Sequence, residues 1–386
     1  MGNVGNVGNV GNVMNVMNVI NVENGRLNLI FRPNQLSLVN RKSFLANATI
    51  GLLGAAIFQP FHLISGTRPK GPVIGHGDFR YRVNDKWGIL DARVPVKDCH
   101  EMVMDKRKRI FLLTNETRNN IIIYDRSGKL LGTWGNQFPG GHGLTIHDEG
   151  GEEFLYITDH ELGEVYKATL DGRILMTIKH PKLIGQYGDC DKFKPTETCV
   201  GPNGDIYIAD GYGSQFILQY SAKGEFIRKF GGDSFGEKYF KQAHGVTLDV
   251  RNPNDPVLMC TDRVKTCFKI FSLDGTYRSS IQMPGAYVSR AVFDGEYLYS
   301  GVCFSALKNH MLTYNAGFVT ILNGSNKVVS NPGGTKPVYK NGDLSPMVQG
   351  VPVFKHCHDV CIDPDKNVFV AQWNAGNTYP YMLERV

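Results

Sequence analysis

The sequence predicts an all-β fold, a six-bladed β-propeller with an N-terminal extension, and three observations carry that prediction. A unit of four short strands recurs with a period of about 40 residues, the mark of sheets that bury their faces only against their neighbours. Turn residues punctuate the chain at intervals of about eight to twelve positions. Finally, the last unit lacks a fourth strand, while the strand-like segment Phe79–Val83 stands unused before the first. That segment is free to close the ring, and closing it removes an open edge that invites aggregation.

The third unit shows the pattern best. Thr196–Val200 is its first strand, and Pro202-Asn203-Gly204 turns the chain. Asp205–Ala209 alternates as a half-buried strand should. Asp210–Ser214 is a glycine-containing loop, Gln215–Tyr220 the third strand, Ser221–Gly224 a turn and Glu225–Phe230 the fourth strand. Copies run over Asp98–Gly135, Gly140–Ile178, Phe240–Met283, the looser Gly285–Gly333, and Phe354–Arg385. The propeller is therefore assigned to residues 78–386.

Three segments precede it. Residues 1–39 open on seven tripeptides, four GNV, two MNV and one INV, and are read as low-complexity sequence outside the fold. Residues 40–60 read as a signal peptide: Asn40-Arg41-Lys42-Ser43-Phe44-Leu45-Ala46 is followed by an apolar run from Ala48 to Phe58, too short to span a bilayer comfortably. NRKSFLA resembles a twin-arginine export signal, with Lys42 where the second arginine belongs. Residues 61–77 are read as a linker. The expectation is a periplasmic or extracellular propeller with no membrane contact once the signal is removed; an uncleaved anchor is the alternative.

Composition narrows the function. A net charge of +6 is modest for 386 residues, and the densest basic run is Lys106–Arg109 in a turn. Nucleic-acid binding is not expected. The eight cysteines contain no CxxC pair; Cys199 and Cys361 fall where other units place apolar strand residues, which makes them core positions.

The histidines carry the functional signal. Each of four units starts its first strand with a histidine in phase with the apolar residues: His100 in unit 1, His142 in unit 2, His244 in unit 4 and His358 in unit 6. Eleven histidines in 386 residues predict well under one at six chosen positions. The first strand of a blade lines the central channel, so equivalent positions form a ring. His142, His244 and His358 lie on alternate blades and make a tripod, which is what catalytic zinc needs when a fourth position is left open. His100 is a further neighbour. The bland alternative is that histidine satisfies a backbone partner at this strand end. On the same face, glycines flank Tyr212 and allow its loop to turn sharply, giving a proton-transfer group. Arg263, after Asp262, offers an anion-binding fork.

The repeats resemble NHL repeats, and over about residues 98–386 the chain resembles the lyase domain of peptidyl-α-hydroxyglycine α-amidating enzymes. The motifs that carry the resemblance are GGHGLTI of unit 2, IADGYGSQFILQY of unit 3, AHGVTL and TDR of unit 4, and HDVCI of unit 6. The resemblance implies that His142, His244 and His358 bind catalytic zinc, and that Tyr212 and Arg263 are catalytic. It also implies a structural calcium on the Asp359 carboxylate, completed by the carbonyls near Leu144 and Met102. The sequence departs from the family in three respects. A second arginine in the unit 1 loop has no match, since Thr114 or Asn115 stands there with Arg118 nearby. Gly213 replaces a cysteine after Tyr212, and no copper monooxygenase segment is recognisable.

The histidine register gives the metal triad, and the resemblance implies the reaction: an exported, zinc-dependent carbon–nitrogen lyase acting on a small or peptide-derived carbinolamide. Acidification of its hydroxyl at the metal, proton transfer to Tyr212 and capture of a carboxylate by Arg263 would leave an amide and an aldehyde acid. Two rivals remain: a non-catalytic NHL binding module, and a calcium-dependent lactonase-type propeller hydrolase, whose axis would be rich in carboxylate and Asn ligands rather than histidine.

Overall fold

The strand runs read from the sequence assemble into six antiparallel blade sheets, five of them made of strands consecutive in the chain and the sixth completed from the N-terminal side of the propeller. The structure is a computed structural model that describes residues 71–90, 92–306 and 312–386, together with one short ladder, Val22–Glu23 with Arg26–Leu27. Contacts divide the chain into Met1–Gly66 and Thr67–Val386, and the propeller is the second unit. The tripeptide run, apart from that ladder, and the signal-like segment lie outside the described residues.

Blade 1 is Cys99–Met104, Ile110–Thr114, Ile121–Tyr124 and Leu130–Trp134. Blade 3 is Glu197–Val200, Ile206–Ala209, Phe216–Tyr220 and Phe226–Gly231, within a residue of the sequence reading. Blade 5 is less regular: its second strand, Tyr297–Ala306, is long enough to pair with two short inner segments, Ala286–Val288 and Val292–Asp294. In blade 6, Cys357–Ile362, Val368–Gln372 and Tyr381–Arg385 are joined by Phe79–Asn84, with Leu383 opposite Val83. The N-terminal strand closes the ring as the sequence predicts. A fifth strand, Val73–His76, pairs outside it. The linker assigned to residues 61–77 is thus too long: Ile74 is buried and gives that strand an apolar contact to blade 6.

Burial explains why the ring holds. The described core falls into six clusters, and each joins two adjacent blades. Phe111 and Leu113 of blade 1 pack on Leu155 and Ile157 of blade 2, for example, and Phe369 of blade 6 packs with Ile110 and Leu112 of blade 1. The second strands are buried along their length, as in Ile110–Thr114 and Ile206–Ala209, because both faces meet a neighbouring blade. All eight cysteines are free thiols, and Cys199 and Cys361 are core residues as expected. No helix among the described residues is long and apolar enough to cross a membrane.

Candidate metal centre

A β-bulge at the start of the inner strand positions the histidines. In blade 1, Cys99 pairs with Thr114 and Glu101 with Leu113, so His100 is the extra residue. The same slip occurs between Ala243 and Gly245 in blade 4 and between Cys357 and Asp359 in blade 6. In blade 2 two residues, His142 and Gly143, stand opposite Thr158 alone. A bulge leaves one residue out of the ladder and re-aims its side chain, and here four imidazoles turn inward. The glycine after two of them is needed for space. A Cβ at Gly143 would lie 2.6 Å from the Thr196 carbonyl oxygen, and one at Gly245 2.9 Å from Arg290 Cα.

The four rings form one buried cluster. His142, His244 and His358 have centroids 4.7, 4.8 and 5.2 Å apart, and His100 lies 4.7 Å from His142 and 4.9 Å from His358. One ring nitrogen from each of His100, His142 and His358 lies within 4.8 Å of the other two. Tetrahedral ligands about 2.0–2.1 Å from one zinc stand about 3.4 Å apart, so metal binding would draw the rings together by about 1 Å.

The tautomers follow from the partners. His142 Nδ1 is 2.7 Å from the Thr196 carbonyl, so Nδ1 carries the proton and Nε2 is a bare acceptor. His358 Nδ1 donates in the same way to the His100 carbonyl at 2.9 Å, and its buried Nε2 has no hydrogen-bond partner. The Tyr212 hydroxyl lies 3.1 Å from both His142 Nε2 and His244 Nε2. With one proton to give, it donates to His142 and accepts from His244, which leaves His244 Nδ1 bare and without a partner. Neither ring nitrogen of His100 has a partner. Burial, followed by the repulsion a protonated ring would meet from the other imidazoles and, for His244, first from Arg263, pushes the pKa of His142 and that of His244 well below the usual imidazole value. Burial does the same for His358, and lowers His100 to about 3. The depressed values keep all four rings uncharged near neutral pH. Buried imidazole nitrogens without protein partners on His100, His244 and His358, beside a His142 Nε2 that meets only the Tyr212 hydroxyl, are a donor set suited to a divalent transition metal.

Carboxylate clasps hold the loops above the cluster. Asp210 accepts from Lys194 N, Ser214 N and the Tyr187 hydroxyl at 2.6, 2.7 and 2.8 Å, which fixes the loop bearing Tyr212. The glycines flanking Tyr212 serve close approach rather than a sharp turn, and neither has a positive φ. A Cβ at Gly213 would meet Asp210 Oδ1 at 2.0 Å, and one at Gly211 the Ala243 carbonyl at 2.3 Å. Position 213 therefore has no room for a cysteine beside this clasp. Asp262 similarly accepts from Lys241 N and Gln242 N and precedes Arg263. The buried Arg263 donates to the Ser289 hydroxyl at 2.8 Å and the Val288 carbonyl at 3.3 Å, and its charge lies near enough to Tyr212 to act on the phenol. Burial raises the Tyr212 pKa, and Arg263 is the largest influence lowering it.

Sequence analysis missed His160. Its ring lies 5.4 Å from Tyr212 and 5.8 Å from His142, half-buried after the equivalent clasp residue Asp159. The signal was available: an aspartate ends the second strand of blades 2, 3 and 4, and the loop after it faces the cluster. Arg118 does not take the place of the missing arginine, because it is exposed and forked onto Glu116 at 2.8 and 2.9 Å.

The chain is similar to peptidyl-α-hydroxyglycine α-amidating lyases. It is 34% identical over 167 residues to peptidyl-α-hydroxyglycine α-amidating lyase 1 of Drosophila melanogaster, covering 40% of this chain and 29% of that protein. It is 25% identical over 283 residues to peptidylglycine α-amidating monooxygenase of Rattus norvegicus, covering 69% of this chain and 25% of that protein. The chain thus matches only about a quarter of the length of these relatives. No protein-family model matches. Among solved structures, a gluconolactonase of Xanthomonas campestris superposes with a TM-score of 0.52 at 10% identity, covering 82% of this chain and 99% of that one, which is likeness of fold alone.

The calcium expectation fails on geometry. The Asp359 carboxylate and the Leu144 and Met102 carbonyls do converge, but on the Arg290 guanidinium, which lies 2.8 to 3.1 Å from each of them. Calcium takes six to eight oxygens at about 2.3–2.6 Å, and here the cation's position is filled by protein.

Proposed function

We propose that the chain is an exported, zinc-dependent carbon–nitrogen lyase that cleaves an N-acyl-α-hydroxyglycine-type carbinolamide into an amide and an aldehyde acid. The observation that carries this reading is the buried imidazole cluster, in which His142 and His358 are oriented by backbone carbonyls with Nε2 bare. His142, His244 and His358 would hold the metal, with His100 adjoining. Zinc in such a site acidifies a hydroxyl brought to it.

The chain's own residues supply the rest. Tyr212, within hydrogen-bond reach of two of the rings, takes the substrate hydroxyl proton as the phenolate, a form that a cation held by the rings would favour together with the Arg263 charge beside it. Arg263, oriented by the Ser289 hydroxyl and the Val288 carbonyl, grips the carboxylate. The electron pair of the broken O–H bond forms the aldehyde C=O as the carbon–nitrogen bond breaks. The departing nitrogen takes a proton, for which Tyr212 is the placed donor, giving the neutral amide. His160 borders the Tyr212 side of this pocket.

The test is turnover of N-benzoyl-α-hydroxyglycine by zinc-loaded protein, with benzamide and the aldehyde acid measured in equal amounts. Tyr212→Phe should retain zinc and lose roughly 100-fold or more in kcat. Zinc-loaded protein that forms neither product refutes the reaction. Export is checked by N-terminal sequencing of protein from the native cells, and an intact Asn40–Phe58 segment in soluble cytoplasm contradicts it.

A further inference from the structure

The axis just beyond the histidine cluster is filled by one side chain. Arg290, at the start of blade 5 after Ser289, donates from Nε and one terminal nitrogen to both oxygens of Asp359 in blade 6, at 2.8 and 2.9 Å. That terminal nitrogen also reaches the Met102 carbonyl of blade 1 at 3.1 Å, and the other reaches the Leu144 carbonyl of blade 2 at 3.0 Å. Glu101 of blade 1 and Glu197 of blade 3 stand 3.4 and 3.7 Å away. Blade 4 contributes Gly245, where any Cβ would meet the Arg290 backbone at 2.9 Å. Five blades meet at one guanidinium and the sixth leaves room for it.

The carboxylates are tied back to the same strands. Asp359 accepts from Met102 N at 2.9 Å, and Glu101 from Leu144 N at 2.6 Å. Four of the five anchors lie next to a histidine or two residues from it: Glu101 and Met102 beside His100, Leu144 beside His142, and Asp359 beside His358; Glu197 follows Thr196, which holds the equivalent place in blade 3. A charge this deep persists only when paired and fully hydrogen-bonded, and removing one partner leaves the others uncompensated.

We propose that Arg290 is a built-in cation that does the work of a structural metal ion at the propeller axis. It makes the fold and the spacing of the histidine strands independent of calcium, and its removal opens a site for a hard divalent cation. Three carboxylates and two carbonyls around the volume of a lost guanidinium are the oxygen-rich set that calcium takes. This inference is independent of the lyase reading, because it is read by unfolding and calcium content rather than by turnover.

The experiment compares wild type, Arg290→Ala and the double variant Arg290→Ala/Asp359→Asn, each with and without millimolar calcium. Wild type should bind no calcium on dialysis, and calcium should leave its Tm unmoved. Arg290→Ala should melt roughly 5–10 °C lower. Calcium should bind it at about one ion per chain and restore most of the loss. The double variant should not be rescued. If Arg290→Ala is recovered folded only when expressed with calcium, the proposal is likewise supported. Calcium bound by wild type, an unchanged Tm for Arg290→Ala, or no rescue by calcium overturns it.

Discussion

His142 and His358 each spend their one N–H on a neighbouring blade's carbonyl, and that single bond decides which lone pair faces the cluster. Burial keeps these rings and His244 neutral far below the usual imidazole range. An imidazole with an ordinary pKa near 6.5 loses metal to protons as pH falls through that value. A ring whose folded-state pKa is depressed stays unprotonated until the lower value is reached, so zinc affinity should be nearly flat from about pH 8 to about pH 6. A competition titration against a fluorescent chelator checks this. A tenfold loss of affinity across that range would mean that the rings titrate as exposed histidines do. The histidine register was legible in the sequence because equivalent strand positions must share a ring. Arg290 was not legible as the axial cation, because its partners lie 69 to 188 residues away along the chain and only the closed ring brings them together.

The element that makes the site is a bulged strand, repeated four times. Strand positions in blade 3 could be read to within a residue because alternation and turn residues fix them. The bulges could not, since one extra residue leaves the apolar pattern almost unchanged while turning a side chain from the sheet to the axis. The glycines after His142 and His244 mark where the next blade comes within contact distance. Gly143→Ala should therefore cost about 1–3 kcal/mol by overpacking, seen as a lower urea midpoint with an unchanged slope. Gly132→Ala is the control, because no atom lies within 4 Å of a Cβ built there. Equal stability for the two variants would show that the blades are not packed as closely as described.

As a whole the molecule is a ring held by six like interfaces and closed by a strand from the other end of the chain. That closure was legible because blade 6 is one strand short. The outer strand Val73–His76 was not, since four residues containing glycine and histidine carry little strand signal. A chain begun at residue 71 should unfold cooperatively. One begun at residue 86 loses the Leu383–Val83 pairing and exposes an edge, so it should aggregate or melt many degrees lower; equal behaviour of the two would refute closure. The ring matters for function because it alone brings blades 2, 4 and 6 to a common axis. The most direct test is metal analysis of the purified protein beside His142→Ala, His244→Ala, His358→Ala and His100→Ala. The account predicts about one zinc per chain in the wild type, its loss in each of the first three variants, and weakened retention in His100→Ala. Absence of zinc from the wild type, or full retention in any of the three tripod variants, would contradict it.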